Sequence, residues 1–204
     1  MLAAGAPLGK ARGAMIMLHG RGASAADIVG IAQAIDRPAI AYRAPEAAGH
    51  VWYPNPFMTD AAGNEPWLSS AKGVIARLLA EMNEAGMPNE RIAILGFSQG
   101  ACLTLEYVAR NPRRYGAVFA LSGGLIGDRI EPANYPGSLD GTPVFVGCSD
   151  VDPFVPLPRV KESVAVMRHL NAAVTAQIYP GAAHTIVADE IVEVQRIVDA
   201  MIGA

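Results

Sequence analysis

Ser98 stands between two glycines in a motif that could carry out nucleophilic chemistry. The stretch IAILGFSQGA (92–101) places it after four apolar residues typical of a buried strand and before residues typical of a helix. A tight strand-to-helix turn crowds backbone and side chain, and Gly96 and Gly100 lack the Cβ atoms that would clash there. The motif therefore predicts a serine hydroxyl held in the open at the tip of a turn.

A serine hydroxyl is a weak nucleophile until an adjacent base removes its proton, so chemistry at Ser98 requires a histidine. His184 lies in YPGAAHTIV, directly after the last predicted strand, where a Pro-Gly loop can return the imidazole over the sheet edge. The other histidines fit less well. His169 falls within a predicted helix, His50 lies in a long loop, and His19 ends the first predicted strand, where it would order the loop. We therefore expect His184 to be the base.

The imidazole in turn needs a carboxylate that fixes its tautomer and stabilises its charged form. The stretch VFVGCSDVDPFVP follows the fifth predicted strand and offers two carboxylates, Asp150 and Asp152. By these residues alone, either one could orient His184.

A tetrahedral intermediate also requires two backbone donors for its oxyanion. One is expected from Gln99, the residue after the serine, at the positive end of a helix. The other is expected from Arg21 in HGRGAS, where Gly20 and Gly22 let the backbone N–H turn toward the site. The Arg21 side chain has two interpretations: it recognises a polar or anionic substrate group, or it pairs structurally with a nearby carboxylate. We favour the structural interpretation slightly.

The elements that must position these groups are short apolar runs alternating with helical patterns, which is typical of a parallel sheet flanked by helices. In such sheets ligands bind beyond the carboxyl ends of the strands. Two long connections, 44–68 and 122–142, are rich in Pro, Gly and Asn and predict functional or mobile loops. The predicted strands are 14–18, 39–43, 91–95, 116–121, 143–148 and 174–179. The predicted helices are 25–35, 69–85 and 98–110, with two more around 160–167 and 191–201.

Composition excludes several classes of protein. The chain has 204 residues, of which 51% are hydrophobic and 17% charged, with a net charge of -3, so we expect one enzyme-like domain over residues 1–204. No basic run suggests nucleic acid, and no apolar run is long enough to span a membrane. The N-terminus lacks the charge order of a secretory signal, which predicts a cytoplasmic protein. Cys102 and Cys148 lack metal-ligand spacing, and we expect buried thiols.

Aromatic and apolar residues in the loops offer two alternatives of equal weight. They could wall an acyl pocket beside Ser98, or they could pack the loops onto the rest of the domain. The residues concerned are Trp52, Tyr53, Phe57 and Trp67 in the first long connection, together with Leu125, Ile126 and Phe154 in loops at the same sheet edge.

Five motifs in combination resemble the phospholipase/carboxylesterase family of small α/β-hydrolases, which includes acyl-protein thioesterases. They are LHGRGAS, GFSQGA, ALSGG, DPFVP and GAAHT, and the resemblance covers roughly residues 14–200. The resemblance implies an α/β-hydrolase fold, with a mostly parallel sheet of six or seven strands and helices on both faces. It also implies a triad of Ser98, Asp152 and His184 without metal or organic cofactor. Asp152 is selected because the family's acid precedes the Pro-x-Val-Pro stretch, and the implied oxyanion donors are the amides of Arg21 and Gln99.

The chain departs from the acyl-protein thioesterases at two places. Those enzymes usually carry leucine where Arg21 stands, and the longer segment from WYPNPFM to NEPWLSSA resembles a bacterial subgroup of small-molecule esterases. Dienelactone hydrolases are neighbours that use a cysteine nucleophile, and Ser98 argues against that assignment.

The sequence predicts a hydrolase of small carboxylic esters or thioesters that forms an acyl-enzyme on Ser98. Its partner is a small-molecule substrate, and a homodimer is the candidate assembly. The alternatives are a non-catalytic small-molecule-binding domain of the same fold, or an acyl-protein thioesterase proper.

Overall fold

Seven strands form one sheet in the computed structural model, which describes residues 1–203. The strand order is β1-β3-β2-β4-β5-β6-β7, and every neighbouring pair is parallel except β1 with β3. This arrangement confirms the expected mostly parallel sheet. The strands are β1 (Leu2–Gly5), β2 (Gly13–Leu18), β3 (Ile40–Ala44), β4 (Ile92–Phe97), β5 (Ala117–Leu121), β6 (Pro143–Ser149) and β7 (Ala173–Tyr179).

The six predicted strands are all present within two residues of their expected bounds, and β1 is an additional strand. Its sequence, Leu-Ala-Ala-Gly, has no β-branched or aromatic residue and therefore carries a weak strand signal. It pairs antiparallel with β3 at the edge of the sheet. Strand pairing in the folded chain, rather than local preference, explains why it forms.

Helices cover both faces of the sheet, as expected. On one face, α1 and α5 pack against a cluster that includes Met15 and Met17 of β2. On the other face, α2, α3 and α4 pack against a cluster that includes Ile16 and Leu18 of the same strand. Alternate β2 residues thus enter opposite cores, which explains its continuously apolar sequence. The helices are α1 (Ala25–Ile35), α2 (Trp67–Glu84), α3 (Gln99–Arg110), α4 (Leu157–His169) and α5 (Ala188–Gly203).

The carboxyl ends of the parallel strands lie at one edge of the sheet, and the candidate functional residues follow four of these ends. Arg21 follows β2, Ser98 follows β4, Asp152 follows β6 and His184 follows β7. Parallel pairing therefore gathers groups that are up to 163 positions apart in the chain, counting from 21 to 184.

The two long connections contact each other. The first contains 3-10 turns at Ala48–His50 and Ala61–Asn64, and the second contains one at Pro132–Asn134. The Gly127 N–H donates to the Phe57 carbonyl over 2.8 Å, so one loop supports the other beside the sheet edge.

The two cysteines are free and buried, as expected. Burial raises the pKa of Cys102 to about 11. Burial, aided by the nearby Asp152 charge, raises the pKa of Cys148 to about 12. Both thiols therefore stay protonated near neutral pH and are poor nucleophiles. Within residues 1–203, no helix has the length and apolar character required to cross a bilayer.

Candidate active site

Ser98 occupies a strained turn between β4 and α3. Its φ and ψ are 53° and -116°, a region that residues with a side chain rarely adopt. Its N–H donates to the Leu121 carbonyl at the end of β5 over 2.9 Å, and its own carbonyl accepts from Cys102 in the first turn of α3. These bonds hold the turn so that the hydroxyl lies in an open cavity.

The two flanking glycines are required by close backbone contacts. A Cβ at Gly96 would lie 2.2 Å from the Gly100 carbonyl oxygen, and a Cβ at Gly100 would lie 2.2 Å from the Leu18 carbonyl oxygen. Neither backbone neighbour can move without disturbing β2 or α3. The glycines therefore let the turn pack directly against the adjacent strand.

Gly100→Ala is expected to lower the free energy of unfolding by about 2–3 kcal/mol, because the added methyl overpacks a backbone contact. Gly30→Ala is the matched control, since a Cβ there meets nothing within 4 Å and Gly30 lies inside α1. That control should raise stability by up to about 1 kcal/mol through helix propensity. Urea unfolding followed by circular dichroism measures both changes. Equal stability of the two variants would contradict the close packing at Gly100.

His184 bridges Ser98 and Asp152. Its Nε2 lies 2.9 Å from Ser98 Oγ, and its Nδ1 lies 2.6 Å from Asp152 Oδ2. The imidazole also contacts Phe97 and Phe154, with ring centroids 5.1 Å and 4.9 Å away. The three polar groups form a continuous chain, and the two aromatic rings restrict the orientation of the imidazole.

The carboxylate of Asp152 is fixed by hydrogen bonds that it accepts. Its Oδ1 accepts hydrogen bonds from the N–H groups of Phe154 and Val155 over 2.9 and 3.0 Å. Burial opposes its ionisation, but the hydrogen bond with His184 and the two backbone donors outweigh that effect and lower its pKa. A group that is ionised at neutral pH can stabilise a positive charge on His184.

Asp150, the other candidate carboxylate, has a different contact. Its Oδ1 accepts from the Gly181 N–H over 2.8 Å, in the loop between β7 and His184. Gly181 has a φ of 68°, so the loop turns through a conformation that favours glycine. Asp150 therefore supports the histidine loop, whereas Asp152 contacts the imidazole itself.

Arg21 and Gln99 line the same cavity as Ser98. Gln99 is the first residue of α3, where N–H groups lack partners within the helix and carry partial positive charge. Arg21 lies in the loop after β2, and the following Gly22 donates its N–H to the His50 carbonyl over 2.8 Å. This placement is compatible with the two donors expected for an oxyanion.

An open cavity of about 580 Å³ lies over Ser98. Its walls are mostly apolar, which suits the organic part of a small substrate. Of the residues proposed for a pocket, Tyr53, Phe57 and Phe154 line it. The complete lining is Arg21, Tyr53, Pro54, Pro56, Phe57, Ser98, Gln99, Cys102, Phe154, Val155 and His184.

Three residues proposed for the pocket lie elsewhere, as does Ile126. Trp52 is buried and donates its indole N–H to the His19 carbonyl over 2.8 Å, so it packs the loop onto the sheet. Trp67 begins α2 and is 53% exposed. Leu125 and Ile126 are buried in the hydrophobic core. Trp52, Leu125 and Ile126 therefore pack inside the domain, and Trp67 is exposed to solvent. These four residues do not line the cavity.

The Arg21 side chain contacts backbone rather than the expected carboxylate. Its Nη2 donates to the carbonyls of Tyr53 and Asn55 over 2.8 and 3.2 Å. Among the ion pairs of residues 1–203, none includes Arg21. The guanidinium thus ties the cavity wall to the loop after β2 while its charge stays unpaired.

Sequence reasoning missed the structural role of the Gln99 side chain. Its Oε1 accepts from the Trp52 N–H over 3.0 Å, and its Nε2 donates to the Tyr53 carbonyl over 2.8 Å. His19 adds a second support, because its Nε2 accepts from the Ala47 N–H over 3.1 Å. Both residues fix the loop that forms one cavity wall. The only signal in the sequence was the position of Gln99 beside the serine.

A buried carboxyl group, Glu190, lies in α5 outside this cavity. It is 1% exposed, it accepts a hydrogen bond from the Val187 N–H, and it packs on Gly147 of β6. Burial raises the pKa of Glu190 from 4.5 to about 7. Between pH 4.5 and about pH 7, the carboxyl group of Glu190 is therefore more protonated in the folded chain than in the unfolded chain. The free energy of unfolding falls as the pH rises through this range.

Glu190→Gln is expected to remove this pH dependence, because the amide cannot ionise. Between about pH 4 and about pH 8, the stability of the variant relative to the wild type should improve by about 3 kcal/mol, from 1.36 kcal/mol per pKa unit. Urea unfolding at the two pH values measures the change, with the exposed α2 residue Glu81→Gln as the control. The same pH dependence in Glu190→Gln and the wild type would contradict the prediction.

The parallel sheet with its strand-serine-helix turn defines an α/β-hydrolase fold. The chain belongs to the phospholipase/carboxylesterase family, whose model matches residues 3–202. It is similar to the crystal structure of a phospholipase/carboxylesterase from Dyadobacter fermentans, with 44% identity, a TM-score of 0.93, and coverage of 97% of this chain and 94% of that chain. These matches confirm the fold and the family resemblance.

Curated fungal proteins are more distant relatives. An acyl-protein thioesterase 1 from Saccharomyces cerevisiae is 30% identical over 147 residues, which are 69% of this chain and 61% of that protein. An acyl-protein thioesterase 1 from Gibberella zeae is 30% identical over 123 residues, 58% of this chain and 51% of that protein. The chain spans about half the length of the first curated relatives it matches.

Proposed function

We propose that this protein hydrolyses small carboxylic esters or thioesters through an acyl-enzyme on Ser98. The observation that carries the proposal is the chain of contacts from Ser98 Oγ to His184 Nε2 and from His184 Nδ1 to Asp152 Oδ2, over 2.9 and 2.6 Å. The chain opens into an apolar cavity large enough for a small substrate. Membership of a family described as phospholipase/carboxylesterase supports the same reaction class.

In the acylation step, His184 Nε2 takes the proton of Ser98 as its Oγ attacks the substrate carbonyl carbon. The carbonyl oxygen becomes an oxyanion, to which the N–H groups of Arg21 and Gln99 donate. Asp152 holds the His184 Nδ1–H and stabilises the imidazolium. The intermediate then expels the alcohol or thiol, which receives its proton from Nε2, and the acyl group stays on Oγ.

In the deacylation step, water replaces the departed alcohol or thiol. His184 Nε2 removes a proton from the water as its oxygen attacks the acyl carbon, and the same two N–H groups stabilise the second oxyanion. Collapse releases the carboxylic acid and returns the proton to Ser98 Oγ. The cycle leaves every residue in its starting state and consumes one water per bond cleaved.

An acyl-protein thioesterase activity is a second candidate, favoured by the names of the fungal relatives. Two features of the chain favour small esters instead. Arg21 places a charge in the cavity wall, and the cavity, at about 580 Å³, has the size of a small-molecule site. Neither feature is expected to suit a long lipid chain attached to a protein.

Turnover of matched p-nitrophenyl esters and acyl thioesters of increasing chain length tests these alternatives. We expect turnover that depends on Ser98 and is fastest for short acyl chains. A maximum at long-chain thioesters would favour the acyl-protein thioesterase, and binding without turnover would favour a non-catalytic domain. Any residual rate should be compared with that of Ser98→Ala, so that contaminating esterases are recognised.

The single domain, the cytoplasmic location, the absence of a nucleic-acid partner and the homodimer stay predictions of the sequence. Sedimentation velocity of the purified chain measures the assembly directly. One species at the mass of two chains would support the homodimer, and one species at 21.3 kDa would contradict it.

A further inference from the structure

The cavity over Ser98 carries a positive charge that the proposed reaction does not use. Arg21 is the one residue with a permanent charge among the described residues that line the cavity. Asp152, the carboxylate that contacts His184, has a side chain that is 0% exposed, and its oxygens are occupied by His184 and two backbone donors. Among the described residues that line the cavity, none carries a negative charge to neutralise the guanidinium.

The guanidinium is fixed in place but only partly used. Nη2 makes both hydrogen bonds to the cavity wall, to the Tyr53 and Asn55 carbonyls. Within residues 1–203, Nε and Nη1 have no hydrogen-bond partner, and no carboxylate lies within ion-pair distance. An arginine has five N–H donors in a planar fork that matches a carboxylate or phosphate. An anchored fork with free donors loses little entropy on binding an anion.

We propose that the preferred substrate carries an anionic group, such as a carboxylate, that binds the Arg21 side chain while its ester carbonyl lies at Ser98. This proposal rests on the proposed function, because it names the substrate class of the same site. The Arg21 backbone N–H would bind the carbonyl oxygen of the substrate, and the guanidinium of the same residue would bind its anionic group. The anionic group must therefore lie within the length of one arginine side chain from the reacting carbonyl.

The other residues of the cavity indicate the chemistry of the substrate between its ester carbonyl and its anionic group. The cavity that contains Arg21 and Ser98 is also lined by Tyr53, Pro54, Phe57, Phe154 and Val155. These groups suit a short aliphatic or aromatic body between the two polar ends. The positive end of α3 adds to the attraction, since it lies at Ser98 in the same cavity. A half-ester of a short dicarboxylic acid has this form.

Two substrates that differ in charge and by one methyl group test the proposal. Mono-p-nitrophenyl glutarate carries a free carboxylate, and its methyl ester is the neutral counterpart; release of p-nitrophenol reports on both. The wild type should have the higher kcat/KM for the anionic compound, and added salt should reduce this preference. In Arg21→Gln, the ratio of the two kcat/KM values should fall about ten- to a hundredfold, mainly through KM of the anionic compound, as loss of a charged hydrogen bond predicts.

Two further variants separate recognition from structure. Arg21→Lys should retain part of the anionic preference, and Arg129→Gln, an exposed loop residue, should leave the ratio at its wild-type value. Equal losses for both substrates in Arg21→Gln would mean that the side chain only anchors the loop, and would overturn the proposal. An unchanged ratio would overturn it as well. Turnover of both compounds by Ser98→Ala at the wild-type rate would instead overturn the proposed function.

Discussion

Ser98→Ala is expected to lower kcat for ester hydrolysis by about 10⁴- to 10⁶-fold. The variant retains the cavity and the backbone donors but has no oxygen to attack the carbonyl. His184 lies 2.9 Å from that oxygen and has no other nucleophile to activate at this position. Steady-state release of p-nitrophenol measures the loss, and KM should change much less than kcat.

The matched control is Ser70→Ala, which removes an exposed hydroxyl from α2. It should retain wild-type kcat and KM. His184→Ala should lose activity to a similar extent as Ser98→Ala, and the double variant should be no worse than either, because the two residues act as one unit. Additive losses in the double variant would contradict a shared step.

Asp152→Asn is expected to lower kcat by about 10⁴-fold at neutral pH, because it reverses the histidine tautomer. Asp152 Oδ1 accepts from two backbone N–H groups, so an asparagine would keep its carbonyl oxygen there and turn its NH₂ toward His184. Nδ1 would then accept that donor, and the ring proton would move to Nε2, which faces Ser98. An imidazole protonated at Nε2 cannot remove the serine proton.

Asp150→Asn is the matched control, since it neutralises the neighbouring carboxylate without touching the imidazole. An amide oxygen can still accept from the Gly181 N–H, so we expect less than about a tenfold loss in kcat/KM. Thermal unfolding of both variants shows whether either loss reflects instability. A large loss of activity in Asp150→Asn together with an active Asp152→Asn would contradict this assignment, because it would mean that Asp150 is the carboxylate that orients His184.

The sequence was sufficient to predict the elements that position the site. The apolar runs of β2, β4, β5 and β6 are buried by helices on both faces, and such runs are distinctive in a chain that alternates strands with helices. The glycines around Ser98 predicted a tight turn, and the distances below 3 Å to their neighbours show why no other residue fits. β1 lacked a local signal because it depends on pairing with β3.

The fine geometry of the site was less accessible to sequence reasoning. Asp150 and Asp152 are two residues apart and chemically identical, and only the fold shows that one contacts His184 and the other Gly181. Trp52 and Tyr53 are adjacent, yet the indole packs on His19 while Tyr53 lines the cavity. Side-chain direction within an irregular loop depends on long-range hydrogen bonds, here those of Gln99, and these leave no periodic pattern.

The proposed reaction requires the hydroxyl of Ser98 to be the nucleophile. Labelling with a small alkyl fluorophosphonate, followed by peptide mass spectrometry, tests it most directly, because the reagent reacts covalently with an activated serine. We predict one label per chain, on Ser98, with no label in His184→Ala or Ser98→Ala under the same conditions. Labelling of another residue, or equal labelling of Ser98 when His184 is absent, would contradict the account.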